Sequence, residues 1–177
     1  MPPLDRAQAG WKGQWIWSRN GSGPEDVTVW FRRDIVLNDD PEEAIIAGSG
    51  DDNLTAIVNG NAVALCGQWD QPGRADVARF FRKGQNTVLL KVDNYRAWGG
   101  VLADLYLRTK SGGDMFVSTD GGWRCREGGE GDGGIDTPVH VIGPVPAMPW
   151  GTRIPGCYVG PKGEIRVAPV SPGICRV

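Results

Sequence analysis

Between Val27 and Leu37 the chain reads Val-Thr-Val-Trp-Phe-Arg-Arg-Asp-Ile-Val-Leu. Val27, Val29, Phe31, Ile35 and Leu37 fall on one side of a period-two pattern, and Thr28, Arg32 and Asp34 on the other. This alternation belongs to a β-strand with one buried face. Such a strand is not stable alone; it needs neighbouring strands and a second apolar layer to cover it. Shorter β-rich runs at 44–47, 54–58, 87–93 and 101–108 repeat the theme, each bounded by Gly, Asn, Asp or Pro. Strands at this spacing predict an all-β sandwich or barrel.

The connections agree with that prediction. Asn59-Gly60-Asn61 between Val58 and Val63 is a strong hairpin signal, because Asn and Gly tolerate the positive φ of the tight turn. The only helical candidate is one turn over 76–81, opened by Asp76 as N-cap and closed before Gly84. Longer helices are hard to place among 27 Gly and 13 Pro. A Gly-rich run at 127–134 separates the strand-rich residues 1–126 from a Pro- and Gly-rich tail, 127–177. The tail is expected to be irregular and to pack on the same domain, with short strands at 139–142 and 164–168. A chain of 177 residues is the size of one core.

Several function classes are disfavoured. With 19 basic and 21 acidic residues the net charge is −2, so no global field draws nucleic acid. No stretch is long and apolar enough to span a membrane as a helix. Cys66, Cys125, Cys157 and Cys175 lack close CxxC spacing, which argues against zinc. Three disulfide pairings are possible, and Cys157 with Cys175 would staple the tail. Residues 1–20 show no apolar stretch of signal-peptide length, so the chain reads as a mature or excised piece, or as a cytoplasmic protein with free thiols. A single histidine, His140, sits in the tail, and neither a nucleophile elbow nor a phosphate loop is present.

Three loops carry binding chemistry. Asp51-Asp52-Asn53 crowds hard oxygen donors onto what reads as a loop after Gly48-Ser49-Gly50, as calcium requires, and a cation would relieve the repulsion of adjacent carboxylates. The alternative is an Asx turn with no ligand. Residues 93–100 offer Asn94 as donor and acceptor, Arg96 as a donor fork and Trp98 as a platform for the C–H face of a sugar. Trp69 and Asp70, with Arg74, have the same character in the loop 67–73. Their alternative is a tryptophan on the core edge and an arginine in solvent. The sequons at Asn20 and Asn53 matter only in a secretory cell.

Trp11 to Trp17, then Trp30-Phe31-Arg32-Arg33, 49–53, Val58-Asn59-Gly60, the turn at 76–81, Lys83-Gly84-Gln85-Asn86 and Ser118-Thr119-Asp120 with Trp123 stand in the order seen in galactose-binding-like jelly-roll domains. Within that group the chain resembles the sugar-binding module of bacterial α-L-rhamnosidases over residues 11–126. The resemblance implies a calcium-assisted site at Asp52, Asn53 and the turn at Asn94, with Asp51 beside them. Leu54 stands where the family has an aromatic residue. The expectation is therefore a non-catalytic carbohydrate-binding module for a mono- or oligosaccharide, accessory to glycan degradation. Such a module would be extracellular or periplasmic and could be joined to a catalytic domain. Its ligand residues would be Asp52, Asn53, Trp69, Asp70, Asn94, Arg96 and Trp98, and its calcium ligands Asp51, Asp52, Asn53 and Asn94. The rival readings are a structural or interaction domain without ligand and a glycoside hydrolase using rim carboxylates.

Overall fold

The computed structural model describes residues 10–19, 25–129, 134–135, 137–157 and 159–161. Two antiparallel sheets face each other across one apolar core, giving an all-β jelly-roll sandwich. The first sheet runs β12 (His140–Pro144), β1 (Gln14–Trp17), β8 (Gly100–Thr109), β3 (Pro41–Asp51), β6 (Gly73–Asp76), and β9 (Asp114–Ser118) also pairs with β8. The second runs β11 (Thr137–Pro138), β10 (Arg124–Glu127), β2 (Val27–Leu37), β7 (Gly84–Asn94), β4 (Asn53–Val58), β5 (Asn61–Cys66).

The alternating run forms β2 over the whole of Val27–Leu37. Val29, Phe31, Ile35 and Leu37 are buried in the core, whereas Val27 is half-buried. Trp30, on the opposite face, is covered by Leu89 and Ile135. β3 is longer than its apolar centre suggested. Gly48-Ser49-Gly50 continues the strand, because glycine there lets the second sheet approach: a Cβ on Gly48 would lie 2.7 Å from the Leu54 side chain. The donors at 51–53 thus start at the end of a strand rather than inside a free loop. Both β3 and β8 are buried on both faces through their centres, covered on the outside by the tail.

The hairpin at Asn59-Gly60 is present, with φ of 48° and 83°. The helical candidate shrinks to a 3-10 turn at Ala78–Phe80. Its N-cap is Val77, and Asp76 ends β6 while its carboxylate accepts the amide of Ala78 at 3.0 Å. The tail is less irregular than its prolines imply: β11 extends the second sheet and β12 the first. The strand expected at 164–168, the sequon at Asn20 and the Cys157–Cys175 pairing lie outside the described residues; Cys157 is buried. No described helix is long and apolar enough to cross a membrane.

Candidate functional site

Four chain segments meet at one rim of the sandwich. β3 ends at Asp51 opposite Gly100, and β4 begins at Asn53 opposite Asp93, so Asp51–Asn53 and the β7–β8 loop are held side by side by two ladders. The intervening peptide is also fixed, since the amide of Asp52 donates to the Asp93 carbonyl at 3.0 Å. The Asp52 carboxylate in turn accepts the amide of Tyr95 at 2.8 Å, and the Asn53 amide side chain donates to the Tyr95 hydroxyl at 2.8 Å. The peptide bond between Asp51 and Asp52 is cis.

The third segment is the β5–β6 loop, where the Ser49 hydroxyl donates to the Trp69 carbonyl. The fourth comes from the tail. Trp150 stacks on Trp15 with centroids 3.9 Å apart and planes 13° apart, and its indole N–H donates to Asp51 Oδ2 at 2.9 Å. Gly99 and Gly100 admit this packing: a Cβ on Gly99 would lie 2.0 Å from Trp17, and one on Gly100 2.3 Å from Trp150.

Asp51, Asp52, Trp69, Arg96, Ala97, Trp98, Pro149, Trp150 and Arg153 line a cleft of about 250 Å³. Trp98 is 46% exposed, whereas Trp69 is half-buried with the Arg153 guanidinium 4.7 Å over its ring. Among the described residues no ion pair ties Arg96 or Arg153 to either carboxylate. Burial pushes the Asp51 carboxyl up to about 6; the Trp150 donor opposes the shift and the neighbouring Asp52 charge adds to it. The cleft can therefore accept hydrogen bonds from hydroxyls, donate to them from guanidinium groups, and offer an indole face to an apolar surface.

Of the residues singled out from sequence, Asp51, Asp52, Trp69, Arg96 and Trp98 line the cleft together. Asn53 and Asp70 do not, although Asn53 is tied to the same loop through Tyr95. Asn94 does not reach it either: it is fully buried, and its side-chain oxygen accepts the amide of Arg96 at 3.3 Å, shaping the loop from beneath. Pro149, Trp150 and Arg153 escaped sequence reasoning, because nothing local shows that a Pro-rich tail returns to this rim.

The fit to a divalent cation is partial. Asp51 and Asp52 each have one oxygen engaged by an N–H donor, leaving the other for a cation. No group of three His, Cys, Asp or Glu converges among the described residues, so backbone and amide oxygens would have to complete a calcium shell.

No protein-family model matches the chain. An alpha-L-rhamnosidase of Streptomyces avermitilis is 30% identical over 182 residues, taking in 96% of this chain. The crystal structure of the Streptomyces avermitilis alpha-L-rhamnosidase complexed with L-rhamnose superposes with a TM-score of 0.70 and 26% identity, over 88% of this chain and 17% of that one. The chain resembles one domain of a rhamnosidase. It spans only 17% of the length of the curated relative, so the activity of the whole enzyme does not transfer with the likeness. The lectin from Pleurotus ostreatus in complex with GalNAc has the same fold, with a TM-score of 0.69 at 20% identity over 88% of this chain and 48% of that one. The GH78 family rhamnosidase of Bacillus sp. GL1 also shares the fold, with a TM-score of 0.65 at 20% identity over 80% of this chain and 19% of that one.

Proposed function

We propose that this chain is a non-catalytic carbohydrate-binding module whose rim cleft takes a mono- or oligosaccharide. The observation that carries the reading is the cleft itself, where an exposed Trp98 face stands beside paired carboxylates and two guanidinium groups. Sugar rings present this combination of a C–H face and a hydroxyl edge. The likeness to a rhamnosidase complexed with L-rhamnose supports it. In this reading the module is accessory to glycan degradation, belongs to a larger extracellular or periplasmic protein, and performs no reaction.

Calcium is part of the proposal. The Asp51 and Asp52 oxygens that take no N–H donor would hold the ion with nearby backbone carbonyls and the Asn53 side-chain oxygen, and the ion would polarise sugar hydroxyls. The test is a glycan array followed by titration calorimetry, with and without calcium. Binding should disappear in Asp52→Ala, and binding that is unchanged in that variant would move the site elsewhere.

A second reading, a bracing domain without ligand, draws on one observation. Trp69 lies under Arg153, and Trp15 and Trp150 lie on each other, so most of the rim's aromatic surface is already in use. A glycan array with no binder would favour it.

A further inference from the structure

Away from the rim, the second sheet carries an arrangement that the sugar cleft does not use. In the register of β2 and β10, Arg32 stands directly opposite Arg124. Like charges facing each other on adjacent strands destabilise a sheet. Arg32 has relief, its guanidinium lying 3.1 Å from Asp34, but that carboxylate also accepts the Thr87 hydroxyl at 2.8 Å. Arg124 is exposed, and among the described residues no acidic side chain pairs with it.

A third guanidinium joins them from the other face of β2. Arg33 shares the parity of Phe31 and Ile35, which are buried, yet it is only half-buried and lies across Gly122. A Cβ on Gly122 would fall 1.9 Å from the Arg33 guanidinium, so glycine is what lets the arginine lie there. Asp120 is 3.7 Å from it, a loose pairing. Arg32, Arg33 and Arg124, with Asp34, Gly122 and Ile135, enclose a cleft of about 410 Å³. Three cations against Asp34 in the lining and Asp120 beside Arg33 leave the described residues of the cleft net positive, and its volume falls within the roughly 300–1,000 Å³ of small-molecule sites.

We infer that this cleft is a second binding site, for an oxyanion carried on a saccharide: a sulfate ester or a uronate carboxylate. Guanidinium forks match the planar or tetrahedral oxygens of such groups, and an anion between Arg32 and Arg124 would turn a like-charge repulsion into two charge-assisted contacts. The saccharide half of this inference rests on the reading given under the proposed function; the anion half rests on the arginines alone.

The anion half is tested by melting the wild type and Arg32→Gln/Arg124→Gln in sodium sulfate and in sodium chloride of equal ionic strength. Sulfate stabilises most proteins by exclusion from their surface, so the expected result is an extra rise of the midpoint in the wild type only. An equal rise in both proteins overturns the site. The saccharide half is tested by titrating a neutral oligosaccharide, an oligogalacturonate and a sulfated oligosaccharide into the wild type, Asp52→Ala and the arginine variant. At least one acidic probe should bind wild type and Asp52→Ala alike, bind about tenfold or more weakly in the arginine variant, and weaken with salt. Acidic probes that bind no better than the neutral one, or that keep their affinity in the arginine variant, refute the inference. Failure of the rim-cleft reading shows separately, as a neutral probe that ignores Asp52. Should the double variant not fold, Arg124→Gln alone carries both tests, because that side chain is exposed and its removal relieves the repulsion.

Discussion

Asp51→Asn should make the protein more stable at neutral pH. In the wild type, burial and the adjacent Asp52 raise the Asp51 carboxyl from its ordinary 3.8 to about 6 against the opposing Trp150 donor. The native state then holds this proton more tightly than the unfolded chain. The stability contributed by the protonated form is complete below about pH 4 and is lost as the pH rises through about 6. Each pH unit of that window corresponds to about 1.4 kcal/mol, so the ceiling is roughly 3 kcal/mol. Asp51 keeps some contact with solvent, which screens the charge and brings the expectation nearer 1–2 kcal/mol. Asparagine mimics the uncharged form and still accepts the Trp150 indole N–H. In EDTA at about pH 8 the variant should melt roughly 3–6 °C above the wild type, and the two should converge toward about pH 4. Equal midpoints at pH 8, or a fall between pH 5 and 7 that survives in the variant, would refute the account. A confirmed gain would mean that Asp51 is kept at a cost in stability, which is common where a buried charge serves a site.

Three further outcomes follow from the same geometry. Millimolar calcium should raise the wild-type melting midpoint relative to EDTA, by an amount equivalent to about 2.7 kcal/mol at one hundred times the dissociation constant; superimposable curves would end the metal proposal. Trp98→Ala should weaken sugar binding about tenfold or more with little change in melting, because the indole is exposed, and calorimetry with paired melts checks both. Trp150→Ala should cost about 3–5 kcal/mol in urea unfolding, since it removes a buried ring stacked on Trp15, and should also abolish binding by removing a cleft wall.

Much of the scaffold was legible along the chain. β2 declared itself by alternation over its full length, and the turn at Asn59-Gly60 by residues that accept positive φ. β4, β7 and β8 were located by their apolar centres, with ends displaced by at most three residues. β5 was marked only as the far arm of the hairpin, and β1, β6, β9, β10 and β11 were not marked as strands. They are short, and β6 has the half-buried and exposed residues of an edge, so no continuous apolar pattern marks them. The strand character of Gly48-Ser49-Gly50 was hidden for a different reason. Glycine there serves the approach of Leu54 from the facing sheet, and such a contact has no local signature.

The site divides along the same line. Residue chemistry alone picked out Asp51, Asp52, Trp69, Arg96 and Trp98, because crowded carboxylates and aromatic residues beside turn formers stand out from their neighbours. It could not tell that Asn94 points inward, since an Asx side chain is equally suited to a ligand or to a loop amide, and only the ladder of β7 decides which. Nor could it bring Trp150 and Arg153 to the cleft. That contact spans about a hundred residues and depends on Trp15 being available in the first sheet to stack against. Local periodicity and turn chemistry are written in adjacent residues and so determined the kind of fold. Which distant side chains share a surface depends on how the sheets close, and only the folded chain decides it.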